Sequence, residues 1–122
     1  MEDDIKKEQM TACAYIEAII ESCQRMQDKF QPGTSQHTLL VNRIRALSLA
    51  EKLMRTESIA CTQEELIQAL VPIRSIIHKS EKALMHGKAG SASAQRLHRI
   101  VHTMQLSEML IKKKLREFDS AM

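Results

Sequence analysis

Apolar residues recur every three or four positions along most of the chain, which is the spacing of one face of an α-helix. Three stripes of such residues run from Leu40 to Met54, from Leu66 to Leu84 and from Leu97 to Phe118. A stripe before them runs through Ala12, Ile16, Ile19, Cys23, Met26 and Phe30. No stretch alternates between apolar and polar residues as a half-buried strand would. The pattern therefore predicts four helices and no strands.

Turn and capping residues separate these stripes. Gln31-Pro32-Gly33 breaks the first helix, and Thr34 or Ser35 can cap the second. The segment Thr62-Gln63-Glu64-Glu65 has the capping-box pattern, in which Glu65 reaches back to the amide of Thr62. Residues 87–91 are rich in glycine and form the second clear break. Breaks between long helices indicate antiparallel hairpins.

Pro72 lies inside the third stripe, where a proline removes a backbone donor and crowds the carbonyl four residues before it. Two interpretations are open. The third helix kinks at Pro72, or a short helix ends near Val71 and a new helix begins with Pro72 in its first turn. The apolar stripe keeps its phase across the proline, which favours the kink.

The second half of the chain matches the first at an offset of 57 residues without a gap. Gly33 of the first break aligns with Gly90 of the second, and Glu51 aligns with Glu108. The apolar matches include Ile16, Ile19 and Ile20 with Ile73, Ile76 and Ile77. Any two amphipathic hairpins share apolar positions by composition, but the matched glycine and glutamate favour a true internal repeat.

A single helical hairpin leaves its apolar face uncovered, so we expect the two hairpins to close on each other. The predicted fold class is all-α: a four-helix bundle made of two tandem αα-hairpins related by a pseudo-two-fold axis. A chain of 122 residues has room for one domain, spanning residues 1–122. The first hairpin repeat covers residues 3–57 and the second covers residues 60–118.

The composition indicates which residues form the core and which compartment the protein occupies. The chain has no Trp, one Tyr and two Phe, so Leu, Ile, Val, Ala and eight Met must form the core. Cys13, Cys23 and Cys61 form no motif, which fits a reducing compartment. The N-terminal residues lack the pattern of a signal peptide, and no apolar run reaches the roughly 20 residues of a membrane span. We expect a cytoplasmic protein that does not contact a membrane.

Glu51 and Glu108 interrupt the apolar stripes of the second and fourth helices at matched positions. Each lies only about 40° from the centre of its stripe, so both should point toward the interior of a bundle. They could form a buried carboxylate pair that binds a metal or exchanges a proton. Alternatively, each lies at the edge of its stripe and pairs with a basic residue of a neighbouring helix, for which Arg43 is a candidate.

The histidines give a weaker signal of the same kind. His98 and His102 are four residues apart and share one helical face, a geometry that can bind zinc. Two ligands do not make a site, and Glu108 lies on a different face. No set of Ser, His and acidic residues indicates a catalytic centre. The sequence predicts no cofactor and no enzymatic activity.

Charge is unevenly distributed between alternate helices. Residues 1–30 and 58–86 hold ten acidic and seven basic residues, whereas the rest of the chain holds five acidic and eleven basic ones. Nucleic acid could use this basic side through its phosphates, but aromatic residues to stack bases are lacking. A solvated helix end, favoured by the helix dipole, is the alternative. The basic patch comprises Arg96, Arg99, Lys112, Lys113, Lys114 and Arg116.

Four apolar residues lie off the stripes and should be exposed. Met10, Ile67 and Met85 lie about 120° from their stripes and Val71 about 160°. Such residues often mark a protein-binding surface. The sequence thus favours a non-enzymatic interaction or regulatory module that forms a homodimer or binds a protein partner through helix 3. The alternatives are a nucleic-acid accessory protein and a metal- or proton-handling bundle around Glu51 and Glu108.

Overall fold

The computed structural model describes residues 2–55 and 59–120, which form four helices. They are α1 (Glu2–Gln27), α2 (Ser35–Met54), α3 (Gln63–His86) and α4 (Ala92–Ser120). No strand occurs within those two ranges. The predicted all-α four-helix architecture is therefore confirmed.

Side-chain caps begin three of the helices. The hydroxyl of Thr34, rather than that of Ser35, accepts a hydrogen bond from the His37 amide at 3.2 Å. The Thr62 hydroxyl accepts one from the Glu65 amide at 3.1 Å, and Glu65 Oε1 accepts one from the Thr62 amide at 3.1 Å. The predicted capping box is thus confirmed. At α4, the Ser91 hydroxyl accepts from the Ala94 amide at 3.1 Å.

The turns inside the two hairpins have the same backbone geometry. Gly33 has a φ of 91° and Gly90 a φ of 79°, a left-handed region that side chains disfavour. The residue after each glycine donates its amide to a carbonyl three residues before it. These bonds join Thr34 to Gln31 at 3.2 Å and Ser91 to Lys88 at 3.3 Å. The glycine match in the sequence therefore reflects a backbone requirement.

The structure corrects one predicted helix boundary and excludes one of the two interpretations of Pro72. Helix α1 ends at Gln27 rather than Phe30, because the chain turns at Asp28. Phe30 still packs against the core as a half-buried side chain, whereas Met26 is exposed. Helix α3 runs unbroken through Pro72, which is buried, so the alternative of two short helices is wrong.

Each helix of a hairpin packs mainly against its own partner, α1 on α2 and α3 on α4. The two hairpins meet chiefly through α2, which contacts both α3 and α4. The contact between α1 and α4 is the smallest, and the described parts of α1 and α3 do not touch. Helices α2 and α4 therefore lie across the short diagonal of a flattened bundle, with α1 and α3 on its flanks.

The core is aliphatic and its members recur at the 57-residue offset. Ile16 and Ile73 are both fully buried, and so are Leu47 and Met104. Ser107 is buried as well, and its hydroxyl donates to the Thr103 carbonyl at 2.8 Å. These matches are what a duplicated hairpin predicts. The internal repeat itself stays an interpretation of the sequence.

Candidate binding grooves

A surface concavity with a volume of about 920 Å³ lies between α2 and α3. We call it the α2–α3 groove. Its size falls in the range of sites that bind ligands or short peptide segments. The residues that line it include Leu39, Arg45, Lys52, Ala69, Val71 and Pro72.

The α2–α3 groove combines exposed apolar side chains with uncommitted cations. Leu39 and Val71, from the two facing helices, are 41% and 69% exposed. Arg45 and Lys52 lie seven residues apart on α2 and therefore on one face. Within residues 2–55 and 59–120, neither cation forms an ion pair. The α2–α3 groove therefore has an exposed apolar surface with positive charge beside it.

A second groove, of about 390 Å³, lies between α1 and α4, and we call it the α1–α4 groove. Its floor consists of the buried Ala12 and Thr103 and the half-buried Tyr15. Exposed side chains from both helices form its rim. These are Lys7, Glu8, Thr11, His98, Arg99 and His102.

The two grooves correspond at the 57-residue offset. Adding 57 to the α1 residues of the smaller groove, or subtracting 57 from its α4 residues, gives residues that line the larger one. The exception is Lys7, whose counterpart Glu64 does not line the larger groove. The matched pairs are Glu8 with Glu65, Thr11 with Gln68, Ala12 with Ala69, Tyr15 with Pro72, His98 with Val41, Arg99 with Asn42, His102 with Arg45, and Thr103 with Ala46.

Glu51 and Glu108 are mostly buried, as their positions in the stripes suggest, with side chains 21% and 22% exposed. They do not act as one carboxylate pair. Glu108 Oε2 accepts a hydrogen bond from Arg74 Nε at 2.6 Å, across the contact between α3 and α4. The charged neighbours of Glu51 are Glu17 and Arg55 instead.

Arg55 holds the two carboxylates of the first hairpin together. Its Nη2 atom donates to Glu17 Oε1 at 2.5 Å and lies 3.7 Å from Glu51 Oε2. The second distance is too long for a hydrogen bond, and this oxygen is buried. Burial raises the pKa of Glu51, and the neighbouring Glu17 carboxylate raises it further, while Arg55 opposes the rise.

Arg43, a candidate partner for the two glutamates, pairs with neither Glu51 nor Glu108 within the described ranges. Its guanidinium lies instead near Cys23, where burial raises the thiol pKa and the positive charge of Arg43 opposes the rise. Arg43 Nε and Nη2 are buried and make no hydrogen bond within the described ranges. The helical wheel placed Arg43 in the apolar arc of α2 but could not show which helix faces it.

The histidine pair is divided between two environments at the α1–α4 groove. His102 Nε2 lies 2.8 Å from Glu8 Oε1 and so links α4 to α1, whereas His98 makes no such bond to any residue of the ranges 2–55 and 59–120. In the part of the chain that the structure describes, no three His, Cys, Asp or Glu side chains are grouped closely enough to hold a metal ion. The metal-handling hypothesis therefore has no ligand set among these residues.

The apolar residues proposed for an interface are all exposed, and Met10 lies on a different helix from the other three. Exposure is 73% for Met10, 51% for Ile67 and 81% for Met85, so all three lie on the surface as Val71 does. Val71 lines the α2–α3 groove, and the other three do not. Met10 belongs to α1, which does not contact α3.

None of the helices within residues 2–55 and 59–120 has the length and apolarity that crossing a membrane requires.

The basic residues of α4 form two separate groups. Arg99 and Lys112 are 13 positions apart, which is about 20 Å along a helix axis. Lys114 is half-buried and pairs with Glu117 at 3.1 Å. The members of the two groups are Arg96 and Arg99, and Lys112, Lys113, Lys114 and Arg116. The patch predicted from the sequence is therefore discontinuous.

Sequence reasoning missed most residues of both grooves, including Tyr15, Leu39, Arg45 and Lys52. They lie beside the apolar stripes, where a helical wheel does not tell a packed flank from a solvated one. The 57-residue offset was the available signal, because it relates the flanks of α1 and α4 to those of α3 and α2.

Comparison with protein-family models, with curated proteins and with solved structures finds no match to this chain.

Proposed function

We propose that this protein is a non-enzymatic interaction module that binds an amphipathic helix of a protein partner in the α2–α3 groove. The observation that carries the proposal is the pairing of exposed Leu39 and Val71 with the cations Arg45 and Lys52 in one groove. Exposed apolar side chains in a groove commonly mark a protein contact. Helix-in-groove binding is a frequent mode for such surfaces.

The two cations on the α2 side of the groove define the chemistry of the partner helix, since the carboxylate of Glu65 on the α3 side is already hydrogen-bonded in the capping box. Arg45 and Lys52 lie about 10.5 Å apart along the α2 axis, given 1.5 Å per residue. A bound helix that runs along α2 would meet both cations with two acidic residues seven positions apart. Its apolar residues, at spacings of three and four, would face Leu39 and Val71. The partner is therefore an acidic amphipathic helix.

A second copy of this chain is the competing occupant. Light scattering over a range of concentrations separates the two cases. We expect a monomer that binds the acidic helix. A concentration-dependent dimer that Val71→Glu dissociates would instead assign the groove to self-association.

Two synthetic peptides test the proposal without knowledge of the natural partner. The first carries Leu at helical spacing with Glu at positions seven apart, and the second replaces those Glu residues by Lys. We expect fluorescence anisotropy to show saturable binding of the acidic peptide and at least tenfold weaker binding of the basic one. Equal binding of the two peptides, or binding of neither, would contradict the proposal.

Matched variants locate the bound peptide. Val71→Glu places a like charge in the groove and should weaken binding of the acidic peptide at least tenfold. Met85→Glu is the control, because Met85 is at least as exposed on the same helix but lies outside the groove. If Met85→Glu weakens binding as much as Val71→Glu does, the whole outer face of α3 is the interface instead of the groove.

We also propose that the protein is located in the cytoplasm, since Cys13, Cys23 and Cys61 are thiols and Cys13 and Cys23 are buried. A buried thiol behaves as a small apolar side chain and needs no redox role. The groove residues Leu39, Val71, Arg45 and Lys52 are suited to contact and provide no nucleophile paired with a base.

A further inference from the structure

The α1–α4 groove has cations on both sides of an apolar floor. Lys7 extends from α1 and Arg99 from α4, and both are exposed on its rim. Neither forms an ion pair in the two ranges that the structure describes. The carboxylate of the rim, Glu8, is engaged by His102 at 2.8 Å. An anion that enters the groove can therefore meet two uncommitted positive charges.

The floor between these cations is mostly apolar and contains one aromatic ring. Ala12 is buried, and the ring of Tyr15 is half-buried beside it. The volume of about 390 Å³ lies within the ordinary range of small-molecule sites. A hydrocarbon body fits such a floor, because burial of apolar surface is favourable.

These features distinguish the α1–α4 groove from its counterpart. The residues at the positions equivalent to Lys7 and Arg99 are Glu64 and Asn42, so that pair of cations is absent there. The position equivalent to Tyr15 carries Pro72. The two grooves share their framework but differ in lining, and therefore in the ligand that each would select.

We propose that the α1–α4 groove binds a free small amphipathic acid. The carboxylate of the ligand lies between Lys7 and Arg99, and its hydrocarbon body lies over Tyr15. Charge-assisted hydrogen bonds from the two cations recognise the head group. This site is separate from the α2–α3 groove, so either site can be present without the other.

The single tyrosine makes the test direct. The chain has one Tyr and no Trp, so its intrinsic fluorescence reports the surroundings of Tyr15 in this groove. Decanoate is the probe, at concentrations below micelle formation, and decanol is its uncharged match. We expect a saturable fluorescence change with decanoate that weakens as salt screens the cations. A change of equal size and midpoint with decanol, or no saturable change with decanoate, overturns the proposal.

Paired substitutions assign the response to the groove. Arg99→Asn introduces the residue found at the counterpart position and should weaken decanoate binding roughly tenfold, as expected for loss of one charge-assisted hydrogen bond. Arg45→Asn in the α2–α3 groove is the control and should leave binding unchanged. Equal effects of the two variants overturn the assignment. A fluorescence response to anionic lipid vesicles without a response to decanoate would indicate that Lys7 and Arg99 bind a membrane surface, and it would also overturn the proposal.

Discussion

Arg74 donates a hydrogen bond from Nε to Oε2 of Glu108 at 2.6 Å and so ties α3 to α4. The position 57 residues before Arg74 carries Glu17, which cannot form an ion pair with the equivalent glutamate, Glu51. Arg55, the C-cap residue of α2, instead donates to Glu17 and lies near both carboxylates. The first hairpin thus places two carboxylates beside one cation, where the second has a simple ion pair.

This difference predicts opposite effects of one substitution at two equivalent positions. Glu108→Gln loses the charge of a partly buried pair and should lower the free energy of unfolding by about 1 kcal/mol at pH 7. Glu51→Gln removes a like-charge neighbour of Glu17 and should be neutral or stabilising by a few tenths of a kcal/mol, on the order of an exposed-pair effect. Urea unfolding followed by circular dichroism measures both.

A double-mutant cycle with Arg74→Gln provides the control. Once Arg74 is neutral, Glu108→Gln should cost little more, because the two side chains stabilise the fold through one another. Equal destabilisation by Glu51→Gln and Glu108→Gln would show that the two glutamates have the same role, contrary to the structure.

The raised pKa of Glu51 also predicts a pH dependence of stability. The folded protein binds the proton of the Glu51 carboxyl more tightly than the unfolded chain does. The stabilisation that this protonation gives to the fold is therefore complete below the ordinary glutamate pKa, and it is lost as pH rises through the higher pKa of the folded state. Glu51→Gln should therefore match the native chain near pH 4 and become relatively more stable between pH 4.5 and 7. A stability difference that stays constant over this range would contradict the assigned cause.

The matched core positions predict matched costs of truncation. Ile16 and Ile73 are both fully buried, in α1 and α3. Ile16→Ala and Ile73→Ala should each lower the free energy of unfolding by about 2–4 kcal/mol, from lost burial and the remaining cavity. Chemical denaturation should give one cooperative transition for both. Separate transitions for the two hairpins would contradict a shared core.

The two turn glycines give a prediction about backbone conformation. No heavy atom lies within 4 Å of a Cβ added at Gly33 or Gly90, so only the positive φ opposes a side chain there. Gly33→Ala and Gly90→Ala should each destabilise the fold by about 1 kcal/mol. Thermal unfolding of the two variants measures this effect. A substitution to Asn, which tolerates positive φ better, should recover part of the loss; no difference between Ala and Asn would point to another cause.

The helices and their turns could be predicted because their causes are local. The apolar period defines α1 to α4, glycine at Gly33 and Gly90 satisfies a positive φ, and Thr62 with Glu65 completes a cap within four residues. The end of α1 was placed three residues too late, because Phe30 keeps the apolar period after the backbone has left the helix.

The partners and grooves depend on how the helices face one another, which no local pattern contains. Arg43 lies in the apolar arc of α2, yet the cations beside the two glutamates are Arg55 and Arg74. The position of Val71 in a groove, and of Ile67 outside it, depends on where α2 lies against α3. These relationships follow from tertiary packing, so they had to be read from the structure.

NMR titration of the ¹⁵N-labelled protein with the acidic peptide shows directly whether an acidic amphipathic helix binds between α2 and α3. We expect the amide shifts to concentrate around Leu39, Arg45, Lys52 and Val71, while the amides around Tyr15 and Arg99 stay unchanged. Shifts centred on the α1–α4 groove, or no shifts at saturating peptide, would contradict the proposal.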